Sequence, residues 1–309
     1  MIKNVITIVL LNLFQLNIHA NIWTDPKTNV NYEYFVGKNT AEVKAGQPGT
    51  GSELSKPGSP LAAGEISILS KILVNGKEYT VTTIGSDAFA YCDKLTSVTI
   101  PESVQSIEEG SFEGCKNLSH IVIPEGITKI GRSAFMGCSS LVITRLPNSI
   151  KTIEPLTFSN CYSLQTVVIP EGVTEIGHSS FARCKNLSSV TISSSVKNIE
   201  GFAFGNCTNL KEVHLAEGLS TIGRAAFQGC KELSSIIIPS SIISIGELAF
   251  RGCNTLSIVI SLIQNPFECS WNSFGGGERI ATLKVPKGCV AKYKQTKAWN
   301  EFSNIVEIE

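Results

Sequence analysis

The chain has 309 residues, of which 42% are apolar, 17% charged and 7% aromatic, a composition that excludes a disordered chain and a length that fits one large or two ordinary domains. Lys plus Arg and Asp plus Glu both number 26, so the formal charge is zero and no basic surface is available to neutralise a row of phosphates. Nucleic acid is not an expected partner.

Residues 1–20 carry Lys3, an apolar stretch from Val5 to Ile18 broken only by Thr7, Asn12, Gln15 and Asn17, and then His19-Ala20 before the polar Asn21. That pattern reads as a secretory signal peptide cleaved after Ala20. Its removal takes away Lys3 and no acidic residue, leaving a charge of about −1. No Cys stands at the new N-terminus to take a lipid, no run of about twenty apolar residues follows that could span a bilayer, and the chain ends in Ile308-Glu309 without a sorting tail. The expected product is exported to the periplasm, the cell surface or the medium, with no membrane span.

Residues 21–80 form the next region. Trp23, Tyr32, Tyr34 and Phe35 mark short strands, Gly46 to Gly64 is rich in Gly, Pro and Ser and reads as a surface loop, and Ile66 to Ile84 alternates around the hairpin signal Asn75-Gly76. A β-rich N-terminal cap is expected.

From residue 81 to 262 the chain repeats itself. Phe89, Phe112, Phe135, Phe158, Phe181, Phe204, Phe227 and Phe250 fall 23 residues apart, and a Cys lies three positions after each, from Cys92 to Cys253. The units then continue Leu-x-x-Val-x-Ile, as in Leu95, Val98 and Ile100, and with Ile for Val as in Leu118, Ile121 and Ile123. The period of two puts Val98 and Ile100 on one face of a short strand and Ser97 and Thr99 on the other. Pro101, Pro124, Pro147, Pro170 and Pro239 follow where a missing N–H costs no ladder bond. The Ser-x-Ala-Phe-x-x-Cys stretch is too short for an independent helix and reads as one packed turn.

A single unit cannot fold: ordering each residue costs about 1–2 kcal/mol, and eight apolar side chains return only about 1.5–3 kcal/mol each. Stacked units share buried faces and pair strands about 4.8 Å apart, so an extended solenoid is expected. Leu-x-x-Val-x-Ile-Pro-x-x-Val-x-x-Ile-x-x-x-Ala-Phe-x-x-Cys, over Val81 to Leu262, resembles the 23-residue leucine-rich repeat of BspA-like bacterial surface proteins. The resemblance implies an α/β, right-handed leucine-rich-repeat solenoid, strand-rich with short helical turns, and attachment to host or neighbouring-cell proteins. Thr144 departs from it where a buried Val or Ile is expected, and Ser193 and Ala216 replace the strand-end Pro.

A finer period of 46 residues places Gly85, Gly131, Gly177 and Gly223 alternately with Glu108, Glu154 and Glu200, Gly246 breaking the pattern. Stacking then predicts an alternating ion-pair edge of Glu108, Arg132, Glu154, His178, Glu200 and Arg224.

Residues 263–309 drift out of register. Gly275 to Gly277 marks a loop, and Leu283-Lys284-Val285-Pro286-Lys287-Gly288 with Tyr293, Trp299, Phe302 and Ile305 is similar to the C-terminal cap of secreted members of the family, so a mixed strand and helix cap is expected. Lys287, Lys292, Lys294 and Lys297 read either as a solvated cap face or as a binding patch.

Little in this chain points to catalysis. Eight thiols in one column point the same way, too far apart at Cβ and too parallel for relaxed disulfides, and they read as small buried hydrophobes; Cys269 and Cys289, off register, either pair or stay free. His120 and His214 lie four repeats apart, about 19 Å at the strand spacing, so no metal is shared, and no Gly-x-Ser-x-Gly elbow or phosphate loop occurs. No cofactor is called for. Binding is the function left, on the outward strand positions: Ser97, His120, Ile143, Thr166, Ser189, Glu212, Ser235 and Ile258, beside Thr99, Val122, Arg145, Val168, Thr191, His214, Ile237 and Ile260. His120, Arg145, Glu212 and His214 are the candidate contact residues, for an extracellular protein or glycoprotein, as in an adhesin. Ile237, Ile258 and Ile260 make an apolar patch that either the C-terminal segment covers or a partner does. The other reading of the whole chain is a structural spacer or surface-coat component without a specific ligand.

Overall fold

A computed structural model describes residues 22–28, 30–35, 38–44, 62–143, 145–275 and 282–309. Residues 1–21, where the signal peptide was expected, Thr144, most of the 46–64 segment and Gly276-Gly277 lie outside them.

Successive 23-residue units wind into coils that stack with parallel strands. One ladder joins Thr166–Val168 to Ser189–Ile192 and to Glu212–Leu215, pairing Thr166 with Ser189 and Ser189 with Glu212. A second ladder, of two-residue strands, runs along another side, pairing Thr152–Ile153, Glu175–Ile176, Asn198–Ile199, Thr221–Ile222 and Ser244–Ile245. The register step equals the sequence period, so each apolar position stacks on its own kind.

Between the ladders stands the aromatic column. Phe89 to Phe250 are buried and stack ring on ring with centroids 5.1–5.5 Å apart. Phe274 continues the column at 5.5 Å from Phe250, giving about nine coils, and Trp299 and Phe302 close it. Phe274 follows Phe250 by 24 residues and has no Cys three positions on, which hid it from the 23-residue register.

The Phe-bearing segments are not helical, contrary to the short helical turns expected. Two left-handed residues flank each inner Phe, as Ser179 (φ 55°) and Arg183 (φ 61°) flank Phe181, and a right-handed helix cannot pass through such positions. The segments pair instead between coils: Phe158 N–H donates to Ser180 O at 2.7 Å and Phe181 N–H to Ala203 O at 2.8 Å. The repeat region is therefore β-strand and turn rather than α/β; the one α-helix among the described residues is Val290–Gln295, followed by a 3-10 turn at Trp299–Glu301.

The thiol column has its own bonding rule. From Phe89 to Phe227, the carbonyl of each column Phe accepts the N–H of the Cys three residues on and the S–H of the Cys one coil further: Phe158 O takes Cys161 N–H at 3.2 Å and Cys184 Sγ at 3.1 Å. A backbone N–H and one weak S–H donor, from cysteines of successive coils, thus occupy both lone pairs of that oxygen. All ten cysteines are free, Cys269 and Cys289 included.

The ion-pair edge does not form as expected. Arg132 Nε reaches Glu109 at 3.9 Å and Arg224 Nε reaches Glu247 at 3.9 Å. Glu108 is held by Lys129 at 2.5 Å, Glu154 by the Thr152 hydroxyl at 2.8 Å, and His178 sets its ring edge on Phe202 at 5.7 Å. The ion pairs that do form still join successive coils, but through Lys129, Glu109 and Glu247, which lie outside the expected edge.

The alternating glycines have a steric cause. A Cβ on Gly177 would sit 2.6 Å from Ile153 O and 2.8 Å from Pro155 N, main-chain atoms of the preceding coil, whereas on Gly126 its nearest neighbour is 3.4 Å away. Gly177→Ala is expected to cost about 1–3 kcal/mol in urea unfolding through overpacking, and Gly126→Ala far less. Equal midpoints for the two variants would contradict this packing.

Before the first full coil the chain is strand-rich, with antiparallel pairs Ile22–Thr24 with Asn31–Phe35 and Lys71–Val74 with Lys77–Ile84, the latter turning through Asn75-Gly76. Gly64–Ser67 joins the strand ladder in parallel beside Leu95–Thr99. At the other end, Thr282–Val285 and Asn304–Glu307 add two more parallel strands after Ile258–Ser261.

Candidate binding surface

Alternation within each ladder strand decides what reaches solvent. In Thr166–Val168 the pattern is out, in, out, with Val167 packed inward, and in Glu212–Leu215 it sends Glu212 and His214 outward on either side of buried Val213. Both outward columns run along three parallel ladders, from Gly64–Ser67 to His120–Val122, from Thr166–Val168 to Glu212–Leu215 and from Ser235–Ile238 to Asn304–Glu307.

The four expected contact residues are all exposed there. His120 Nδ1 lies 2.8 Å from Ser119 Oγ. Arg145 Nη2 meets Glu125 Oε1 at 3.1 Å. Glu212 and His214 come together on one strand, Oε2 to Nε2 at 3.8 Å. Arg145 stands apart from that pair, three coils or about 14 Å away at the strand spacing. Two polar groups are thus separated by a smoother stretch of Val168 and Thr191. Exposed pairs of this kind contribute only about 0–1 kcal/mol to stability, which leaves them free to serve recognition.

The apolar patch is open. Ile237 is 50% and Ile258 36% exposed, and the C-terminal strands extend the sheet beside it rather than lie over it, pairing Ile260 with Lys284. Val122, at 79%, and Val168, at 64%, are exposed on the same column. Lys292 is tied into the terminal fold, Nζ to Gln264 O at 3.2 Å and to Asn265 Oδ1 at 2.8 Å.

One column member differs from expectation. His120 bridges to Val142, not Ile143; Val142 is exposed and Ile143 packs against the core. The signal for this was present in the sequence: the polar Thr144 occupies the register of the buried Ile121 and Val167.

The cysteines present no reactive face. Burial pushes the thiols up, Cys207 to about 12 and Cys92 to about 11, with Cys161 and Cys184 well above the ordinary value, so they stay protonated at neutral pH, and a thiol must be ionised to act as nucleophile or metal ligand. Among the described residues, no three His, Cys, Asp or Glu side chains converge as a metal site would require, and no helix is long and apolar enough to cross a membrane.

Residues 82–207 and 174–305 match the BspA type leucine rich repeat region. Among solved structures, the T. pallidum leucine rich repeat protein is 29% identical, covering 68% of this chain and 90% of its own with a TM-score of 0.57. A leucine rich cell surface protein from Faecalibacterium prausnitzii A2-165 is 22% identical and shares the fold over 93% of this chain and 95% of its own, with a TM-score of 0.52. No curated protein matches the sequence. Repeat register, stacked parallel coils and the matched segments agree: the chain belongs to the BspA-type leucine-rich repeat family.

Proposed function

We propose that this is a secreted or surface-associated, non-catalytic protein that binds an extracellular protein or glycoprotein through its strand face, as an adhesin does, with residues 21–80 and 263–309 closing the ends of the array. The observation that carries the reading is the open sheet itself: apolar Val122, Val168, Ile237 and Ile258 stand exposed among His120, Arg145, Glu212 and His214, and the last strands lengthen the face instead of covering it. Family membership supports a binding role, and the cell-surface description of the F. prausnitzii relative is in keeping with export. A flat, many-stranded surface distributes affinity over many weak contacts, unlike a pocket that concentrates it.

The test is binding of the purified chain to a panel of extracellular proteins and glycans. Arg145→Ala and His214→Glu are each expected to weaken a captured ligand about two- to tenfold, the scale of one exposed polar contact. Deleting one 46-residue pair of coils is expected to abolish capture. Unchanged binding in both point variants would move the contact off this face, and no binding to any panel member would favour the structural spacer.

A further inference from the structure

The column cysteines, from Cys92 to Cys253, are all buried and all free. From Cys115 onward each holds its Sγ 2.9–3.3 Å from the carbonyl oxygen of the Phe 26 residues earlier. Parallel strands set the coils about 4.8 Å apart, and the rings three residues before each Cys stack at 5.1–5.5 Å. A relaxed disulfide needs Cβ atoms about 3.5–4.5 Å apart. Stacked equivalents point the same way with their Cβ atoms one coil apart, so a bridge between neighbours would draw two coils together against their rings and take both sulfurs off their carbonyls. Cysteines two coils apart are out of reach. In the unfolded chain none of these restraints acts, and because the entropic cost of closing a loop grows only slowly with its length, any two cysteines can meet.

We propose that the thiol column makes folding conditional on redox state: the coils stack only while these cysteines are reduced, and once stacked they withhold the thiols from external disulfides. The proposal goes beyond the strand-face reading and does not depend on it. The chemistry is thiol–disulfide exchange with a small-molecule disulfide as oxidant. A thiolate of the unfolded chain attacks oxidised glutathione, forming a mixed disulfide and releasing one glutathione thiolate; a second thiolate of the chain then displaces the other glutathione. Two S–H groups become one S–S bond, and their two protons and two electrons leave on two reduced glutathiones. In the folded chain the first attack fails, because it needs an accessible thiolate and the column thiols are buried and protonated. Stacked S–H donors and disulfides within the chain therefore exclude one another, and whichever forms first decides the outcome. An exported chain meets disulfide chemistry outside the cytosol, so its coils must close before the oxidant reaches them.

The test exposes the full chain to oxidised glutathione at neutral pH, folded and in urea, and counts free thiols by alkylation and mass spectrometry. The inner thiols, Cys115 to Cys230, are expected to react at least ~1,000-fold more slowly in the folded chain, since they are reached only from the opened fraction. Cys92 and Cys253, at the two ends and 6% and 7% exposed, are expected to react ahead of them. Chain oxidised in urea and diluted into native buffer is expected to regain less than about a tenth of the native circular dichroism, because a cross-link the coils cannot hold outweighs their net stability, and dithiothreitol is expected to restore the rest. Peptide mapping of the trapped chain should place its disulfides among Cys92 to Cys253, and the double variant Cys269→Ser, Cys289→Ser should be trapped as the parent is. Refolding with the disulfides in place overturns the proposal, as does oxidation of the folded column as fast as the unfolded one. Escape of the double variant from the trap also overturns it, since the off-register pair would then be responsible.

Discussion

Raising the pH from 7.5 to 10 is expected to unfold this protein far more readily than its lysines or tyrosines account for, because its buried thiol column resists ionisation. Cys161, Cys184, Cys207 and Cys230 are buried, and burial raises each above the ordinary 9.0. A thiol whose value is raised by folding contributes stability fully below the unfolded value, and that contribution is lost as the pH climbs toward the folded one. At pH 10 the unfolded chain gains about 1.4 kcal/mol per thiol by releasing protons that the folded chain keeps. Four such thiols sum to on the order of 5 kcal/mol, comparable with the ~5–15 kcal/mol net stability of a typical domain. Urea midpoints measured at both pH values under reducing conditions check this against the quadruple variant Cys161→Ala, Cys184→Ala, Cys207→Ala, Cys230→Ala. The variant is expected to start less stable at pH 7.5, having lost its S–H donors to the Phe carbonyls, yet to lose much less on going to pH 10. Parallel losses in the two proteins would show that the column does not govern alkaline stability.

Removing one ring from the middle of the aromatic column is expected to have the largest effect of any single substitution. Phe181 is 1% exposed and lies between Phe158 and Phe204, each 5.3 Å away. Phe181→Ala leaves a cavity flanked by two rings that cannot close on it, since their separation is fixed by the ladders on either side. Such truncations cost about 3–5 kcal/mol. In a one-dimensional array the loss falls on one interface, so the coils before and after it are expected to unfold as separate units. Circular dichroism in urea should turn from one transition into two. A single transition shifted by less than about 1 kcal/mol would mean that the rings fill space without coupling the coils.

Much of this architecture was legible because side chains in a stack must recur at the coil length. Phe89 to Phe250 and Cys92 to Cys253 gave the coil, and Val98 with Ile100 gave the strand that faces both ways. The ends were less legible. Gly64–Ser67, Thr282–Val285 and Asn304–Glu307 extend the outward ladders at the two ends but lack a Phe-x-x-Cys in register, and Ile258 meets Thr282 after 24 residues rather than 23. That single insertion is why the fate of Ile237 and Ile258 stayed open in the sequence. The turn conformation was hidden for another reason: left-handed Ser179, Phe202 and Ala225 are held by inter-coil hydrogen bonds, not by local preference. The ion-pair edge failed because register fixes where a Cα lies and not which neighbour a long side chain reaches; Arg132 found Glu109.

The histidines provide the most direct test of where this protein makes contact. After His19 the chain has three, His120 and His214 exposed on the strand face and His178 exposed on a turn edge. Acylation of imidazoles by diethylpyrocarbonate, read by mass spectrometry with and without a captured ligand, reports all three at once. Binding through the sheet is expected to protect His120 or His214, or both, and to leave His178 as reactive as in the free chain. Protection of His178 with unchanged labelling of His120 and His214 would contradict the account.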